Sequence, residues 1–223
     1  MMNFKIKRLA LLNALAKVSR AVSMKSPLPV LTGIKFDLKD NELILTGSDS
    51  DITIQTSIKE NIEIIQTGSV VLSSRYILEI IKKIDSEFVH IYIVDGTLTR
   101  IEGANSKFDL NGTSYIDYPR IDLNKSGVHL QMKSTDLKQA IEQTSFATSE
   151  KETRPVLTGV NFKAKDHVLE CIATDSYRLA KKIISIDEDV TFNITIPKLS
   201  LDEISKIIEK RIISYKKRSR VYV

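Results

Sequence analysis

Apolar residues recur along this chain with two different periods. Phe4 and Ile6 alternate with Lys5 and Lys7, which predicts a short strand with one buried face. Over 9–23 the spacing lengthens: Leu11, Leu15, Val18 and Val22 recur at i, i+4, i+7 and i+11, the stripe of an amphipathic helix. Asn13, Lys17 and Arg20 form a second, polar stripe on the same helix. Pro27 and Pro29 must end it, because proline lacks an amide hydrogen and restricts the residue before it. Period-two stretches follow at 33–38, 42–46 and 51–58, joined by the turn-like Lys39-Asp40-Asn41 and Gly47-Ser48-Asp49. A strand over 69–72 runs into Ser73-Ser74, good N-cap residues for a second helix with the buried stripe Ile77, Ile80, Ile81 and Ile84. Alternation at 88–94, 97–102 and 107–110 completes a first unit: strand, helix, three strands, then the same series again.

The pattern then starts over. Pro29-Val30-Leu31-Thr32-Gly33 recurs as Pro155-Val156-Leu157-Thr158-Gly159, and Gly47-Ser48-Asp49-Ser50 as Ala173-Thr174-Asp175-Ser176, both 126 positions on. Leu130 and Met132 answer Phe4 and Ile6, and Leu137, Ala140, Ile141 and Ala147 answer Leu11, Ala14, Leu15 and Ala21, at the same offset. Leu201, Ile204 and Ile208 answer Ile77, Ile80 and Ile84 at an offset of 124, a two-residue deletion that a loop absorbs. Two signatures in one register indicate a duplicated unit. The copies are expected at 1–125 and 126–223, with Asn124-Lys125-Ser126-Gly127 as linker. The expected class is α+β: duplicated strand-helix-three-strand units with helices on one face of antiparallel sheets. After Glu209 the repeat is expected to stop. Residues 210–223 read as a basic tail that does not match 88–94, so the second unit should lack its last strands.

Composition narrows the function classes. A hydrophobic fraction of 42% and a charged fraction of 27% are those of a soluble globular protein. No apolar run approaches a membrane span and the first residues do not form a signal peptide, so the expected compartment is the cytoplasm. The net charge of +5 suggests nucleic acid, but six basic residues and no acidic one fall within 210–223. Without them 27 basic residues face 28 acidic ones, so any contact with nucleic acid must come from charge placed on one surface. Cys171 stands alone in an alternating stretch and reads as a small buried hydrophobe. His90, His129 and His167 are scattered singly, and no phosphate-binding loop, metal-ligand spacing or nucleophile motif is present. Asp49 and Asp175 recur with the scaffold and read as turn aspartates bonding backbone amides. No catalytic residue, metal or cofactor is expected. The copies part at 174–179, where Thr-Asp-Ser-Tyr-Arg-Leu replaces Ser-Asp-Ser-Asp-Ile-Thr; an aromatic, an arginine and a leucine beside a turn are residue types that anchor interfaces.

Those residues, with Thr153-Arg154-Pro155-Val156-Leu157-Thr158-Gly159, Leu28-Pro29-Val30-Leu31 and Phe108-Asp109-Leu110, resemble the bacterial DNA polymerase III beta subunit family, the sliding clamps. The resemblance runs from residue 2 to about 209. It implies a DNA-clamp fold of three similar domains per subunit, two subunits forming a head-to-tail ring around duplex DNA without sequence preference. It implies no enzyme activity, only tethering of the replicative polymerase. By position Lys25 and Lys151 match loop sites that approach DNA, and Lys17, Arg20, Arg75 and Lys82 match DNA-facing helix positions. Arg154, Leu157, Thr174, Ser176, Tyr177, Arg178 and Leu179 match one wall of the cleft that receives peptides of the polymerase, the clamp loader and other clamp-binding proteins. Tyr177 stands where many relatives have histidine. Phe108 and Leu110 match the first-domain side of the ring interface. The expectation is a truncated clamp without its third domain, which alone neither closes a homodimer ring nor stays on circular DNA. The alternative is a free-standing, non-enzymatic binding module that competes for clamp partners or DNA; an enzyme using Asp49 or Asp175 is a distant third.

Overall fold

The short alternating segment at the N-terminus lies inside a sheet, because both of its edges are paired. A computed structural model describes residues 2–24, 26–49, 52–121, 128–151, 153–208 and, as backbone, 212–216. It divides into two units, Met1–Asp122 and Leu123–Val223. The expected linker, Asn124 to Gly127, lies outside the described residues.

The first unit runs β1 (Asn3–Lys7), α1 (Arg8–Val18), β2 (Gly33–Leu38), β3 (Leu43–Ser48), β4 (Thr53–Ile58), β5 (Ile62–Gln66), β6 (Gly68–Ser73), α2 (Ser74–Lys83), β7 (Phe88–Asp95), β8 (Leu98–Gly103) and β9 (Ser106–Asn111). Two antiparallel sheets result, ordered β5-β1-β7-β8-β9 and β4-β3-β2-β6. Leu11, Ala14, Leu15 and Val18 of α1 and Ile77 and Ile81 of α2 are buried, and the helices pack on each other and on the strands. They share one core with Phe4, Ile6, Phe36, Leu45 and Leu72. Each large apolar side chain so removed from water contributes about 1.5–3 kcal/mol, which is why the stripes fix the fold despite helices without side-chain caps. The Ser73 hydroxyl, expected as a cap, makes no capping bond.

The second unit repeats this with β10 (His129–Lys133), α3 (Ser134–Thr144), β11 (Gly159–Lys165), β12 (Val168–Thr174), β13 (Leu179–Ser185), β14 (Phe192–Pro197), α4 (Lys198–Ile207) and β15 (Ile212–Lys216). Its sheets are ordered β13-β12-β11-β14 and β10-β15. Leu130, Leu137, Ile141, Phe162, Cys171, Leu201 and Ile204 belong to its core.

Two expectations need correction. The first unit has a strand, β5, that the strand-helix-three-strand pattern omits; it pairs antiparallel with β1, Lys5 opposite Glu63. The two-residue deletion falls where β5 would lie. In the second unit the amide of Gln131, the counterpart of Lys5, donates instead to the Glu188 carboxylate at 2.7 Å. The other correction concerns 210–223. That stretch is not wholly a tail without a match, because β15 pairs antiparallel with β10, Gln131 opposite Ser214. In the first unit Lys5 lies opposite His90, so β15 answers β7 with the same 124 offset as the preceding helix. Among the described residues there are no counterparts of β8 and β9.

Candidate functional site

The repeated pentapeptide forms the same structure twice. Pro29–Thr32 and Pro155–Thr158 are single 3₁₀ turns, each begun by proline and closed by threonine, whose hydroxyl donates to the proline carbonyl at 2.7 and 2.8 Å. The glycine that follows is required by close approach. A Cβ on Gly159 would lie 2.4 Å from the Ile196 carbonyl oxygen of β14, and one on Gly33 2.5 Å from Val71 Cγ1. The motif therefore pins a turn to the start of a strand in each unit.

Beside it, the hairpin between β12 and β13 carries the divergent residues. Asp175 is the anchor: Oδ1 accepts from the amides of Tyr177 and Arg178, both at 3.0 Å, and Oδ2 accepts from Arg178 Nε at 2.9 Å. The Thr174 hydroxyl donates to the Arg178 carbonyl at 2.7 Å and accepts from the Ser176 amide at 3.2 Å. Those amide bonds, and then the Arg178 charge, hold the Asp175 carboxyl below the usual aspartate range. Ser176 lies in the left-handed region, with φ of 80°, which costs about 1 kcal/mol for a residue with a Cβ. The bonds around it turn the next side chains outward: Tyr177 is 98% exposed and Leu179 67%. The Arg178 guanidinium carbon is 5.9 Å from the Phe146 ring centroid, on the exposed ring that follows α3. Leu157 is half-buried and Arg154 exposed, its carbonyl accepting from the Leu157 amide at 2.9 Å.

The first copy uses the same aspartate differently. Asp49 Oδ1 accepts from the Ile52 amide at 2.8 Å, and Ser48, the counterpart of Thr174, is buried. Both aspartates thus serve turns. Among the described residues no group of three or more His, Cys, Asp or Glu side chains could hold a metal ion.

Arg20 follows α1 and is exposed, while Lys17 on α1 is half-buried. Arg75 and Lys82 are exposed on α2, where Glu79 lies 3.9 Å from Lys82 and 3.7 Å from Lys83. Lys151 is exposed between two 3₁₀ turns of the second unit, Ser145–Ala147 and Pro155–Thr158, its amide donating to Ser149 Oγ at 3.1 Å. Lys25 lies outside the described residues. Phe108 and Leu110 lie on β9, the edge of the five-stranded sheet; Phe108 is exposed, and Leu110 packs partly against the core. One further residue lies at the turn and carried no motif signal: Phe146, which occupies the repeat position of Arg20.

Residues 2–122 match the profile of the DNA polymerase III beta subunit, N-terminal domain, and residues 131–214 that of its central domain, in this order. The chain belongs to the DNA polymerase III beta subunit family. It is 41% identical over 219 residues to the beta sliding clamp of Halalkalibacterium halodurans, covering 94% of this chain and 58% of that one. It is 43% identical over 215 residues to that of Staphylococcus epidermidis, covering 93% and 57%. The crystal structure of the DNA polymerase sliding clamp from Bacillus subtilis superposes with a TM-score of 0.94 at 38% identity, over 97% of this chain and 60% of that one. The chain thus spans little more than half the length of these beta subunits and has their clamp fold. No described helix is long and apolar enough to cross a membrane.

Proposed function

We propose that this chain supplies the first and central domains of a sliding clamp, a non-enzymatic cytoplasmic protein that encircles duplex DNA and tethers the replicative polymerase. The observation that carries the reading is the specialised second turn. The scaffold duplicates the aspartate anchor, and only the second copy spends it on presenting Tyr177, Arg178 and Leu179 to solvent. An exposed aromatic, an arginine held by an ion pair and a leucine are the anchor types of peptide docking sites. In this reading Arg154, Leu157, Thr174, Ser176, Tyr177, Arg178 and Leu179 form one wall of the partner cleft, Phe108 and Leu110 a ring interface, and Lys17, Arg20, Lys25, Arg75, Lys82 and Lys151 face the phosphates. Contacts to phosphate position the duplex without reading bases.

The test is fluorescence anisotropy with a labelled clamp-binding peptide from the polymerase, titrated with the full chain and with Leu179→Ala and Arg178→Ala. Binding weakened roughly tenfold by each, from the loss of about 1.4 kcal/mol per anchor, is expected. Equal binding by all three proteins sinks the docking assignment. Side-chain bonds within 174–178 shape the turn locally, which also suits a binding module that competes for such partners; saturable peptide binding by this chain without DNA retention favours that second reading.

A further inference from the structure

The end of β9 carries a chemically labile peptide whose packing both creates and restrains it. Asn111 is the last residue of the strand and Gly112 follows; no other asparagine in the chain precedes a glycine. Packing requires that glycine. A Cβ at 112 would lie 2.7 Å from Val70 Cγ2, 2.8 Å from the Thr97 carbonyl oxygen and 3.0 Å from that of Val71. Lacking a Cβ, the glycine leaves its nitrogen unshielded from the side chain before it. Asn111 is exposed, so water and base reach its amide.

The folded main chain holds that nitrogen in place. The Gly112 amide donates to the Thr97 carbonyl at 3.1 Å, and the Thr97 hydroxyl donates to the Gly112 carbonyl at 3.1 Å. The same Thr97 carbonyl accepts from the hydroxyl of buried Thr99 at 3.1 Å. On one side of this clamp Asn111 lies opposite Leu98 in the β8–β9 ladder. On the other, the Thr113 amide donates to the Val71 carbonyl at 2.8 Å and the Val71 amide to the Thr113 carbonyl at 3.1 Å. Closing a ring between the Gly112 nitrogen and Asn111 Cγ requires rotation about the Asn111 Cα–C bond. That rotation breaks the Thr97 bonds first.

We propose that Asn111-Gly112 is a self-modification site, inert while the end of β9 is closed and converted when it opens. In the opened chain the Gly112 nitrogen gives its proton to solvent base and attacks Asn111 Cγ. An N–Cγ bond forms, the Cγ–Nδ2 bond breaks, and ammonia leaves after taking up a proton. Water then adds to either carbonyl of the cyclic imide and opens it, giving aspartate or isoaspartate with no change of oxidation state. Isoaspartate routes the main chain through Cγ and so lengthens it by one atom. Gly112 and Thr113 then fall out of register with Thr97 and Val71, and a transient opening of the strand end becomes permanent. The inference stands apart from the docking reading of the 174–179 turn.

The full chain is incubated at mildly alkaline pH, natively and in denaturant, and conversion of Asn111 is followed by mass spectrometry of the peptide that contains it. Native conversion is expected to be roughly tenfold or more slower than denatured conversion, because only the opened fraction reacts. Thr97→Val removes the hydroxyl bond at nearly constant shape. It should raise the native rate and the hydrogen exchange of the Gly112 amide together, and leave the denatured rate unchanged. Equal native and denatured rates in the wild-type chain overturn the proposal, and so does a native rate that Thr97→Val leaves unmoved. If the variant unfolds, the wild-type comparison still decides. In denaturant Asn111 should also convert faster than Asn105, which precedes serine; an equal rate there would remove the special role of Gly112 and overturn the proposal too.

Discussion

Asp175 shows how one side chain can shape the surface that its neighbours present. Its carboxylate accepts two amides and a guanidinium nitrogen, bonds that need the charged form. A group whose folded pKa is depressed contributes stability above its unfolded pKa and loses it as pH falls through the folded value. Asp175 is such a group. The carboxyl carbon should titrate with a midpoint below 3.8 in NMR, with the Tyr177 and Arg178 amides moving on the same curve. Asp175→Asn should abolish that midpoint and release Arg178 from its ion pair; a midpoint at or above 3.8 would refute the anchor. Cys171 gives the opposite case. Burial pushes its thiol up to about 12, so at pH 8 it should resist a thiol reagent in the native protein and react fully in denaturant. Rapid native labelling would mean that the second core opens readily.

At the scale of elements, β15 carries the sharpest consequence. Among the described residues it is the strand paired with β10, whose Leu130 lies in the second core. Deleting 212–216 removes that ladder and leaves this edge of β10 unpaired, so urea unfolding should show the second unit losing about 2–4 kcal/mol while the first is unchanged. An unshifted second transition would show that β15 contributes nothing. This element also shows where the sequence is readable. Helix stripes, the paired turns and strand β2 are legible because each alternates apolar and polar residues under strict spacing, and the repeat checks each against its copy. Strand β15 has the apolar order of β7, Ile212 and Ile213 answering Phe88 and Val89, but only at the 124 offset; the basic run after it hides the match. Strand β5 was hidden for the converse reason. Ile62 and Ile64 alternate, but they are only half-buried and the second copy is two residues shorter here and forms no matching strand, so nothing in the repeat marks it. At the site, exposed Tyr177 and the turn role of Asp175 follow from residue type and recurrence. The ring of Phe146 beside Arg178 does not, since 32 residues separate them and only the tertiary fold joins them.

For the whole molecule the question is where a nearly neutral body keeps its positive charge. The repeat compares the two units position by position. Lys17, Arg20 and Arg75 of the first unit become Gln143, Phe146 and Leu199 in the second. Lys82 persists as Lys206, and the carboxylate three residues before it persists as well: Glu79 lies 3.9 Å from Lys82, and Glu203 bonds Lys206. Each such pair offsets one basic charge near the helix surface, so the lysines contribute less to an external phosphate than their number suggests. At these three positions the second unit has exchanged charge for polar, aromatic and apolar side chains, and the first has kept it. DNA binding by this chain should therefore be weak, salt-dependent and centred on the first unit. With about three phosphate contacts, the logarithm of affinity should fall with the logarithm of salt at a slope near −3. Arg20→Glu and Arg75→Glu should each flatten that slope by about one, whereas Lys206→Glu should leave it nearly unchanged. Titrations of a labelled duplex across a range of potassium chloride concentrations measure all four slopes. If Lys206→Glu flattened the slope as much as Arg20→Glu, the division of labour between the two units would be wrong.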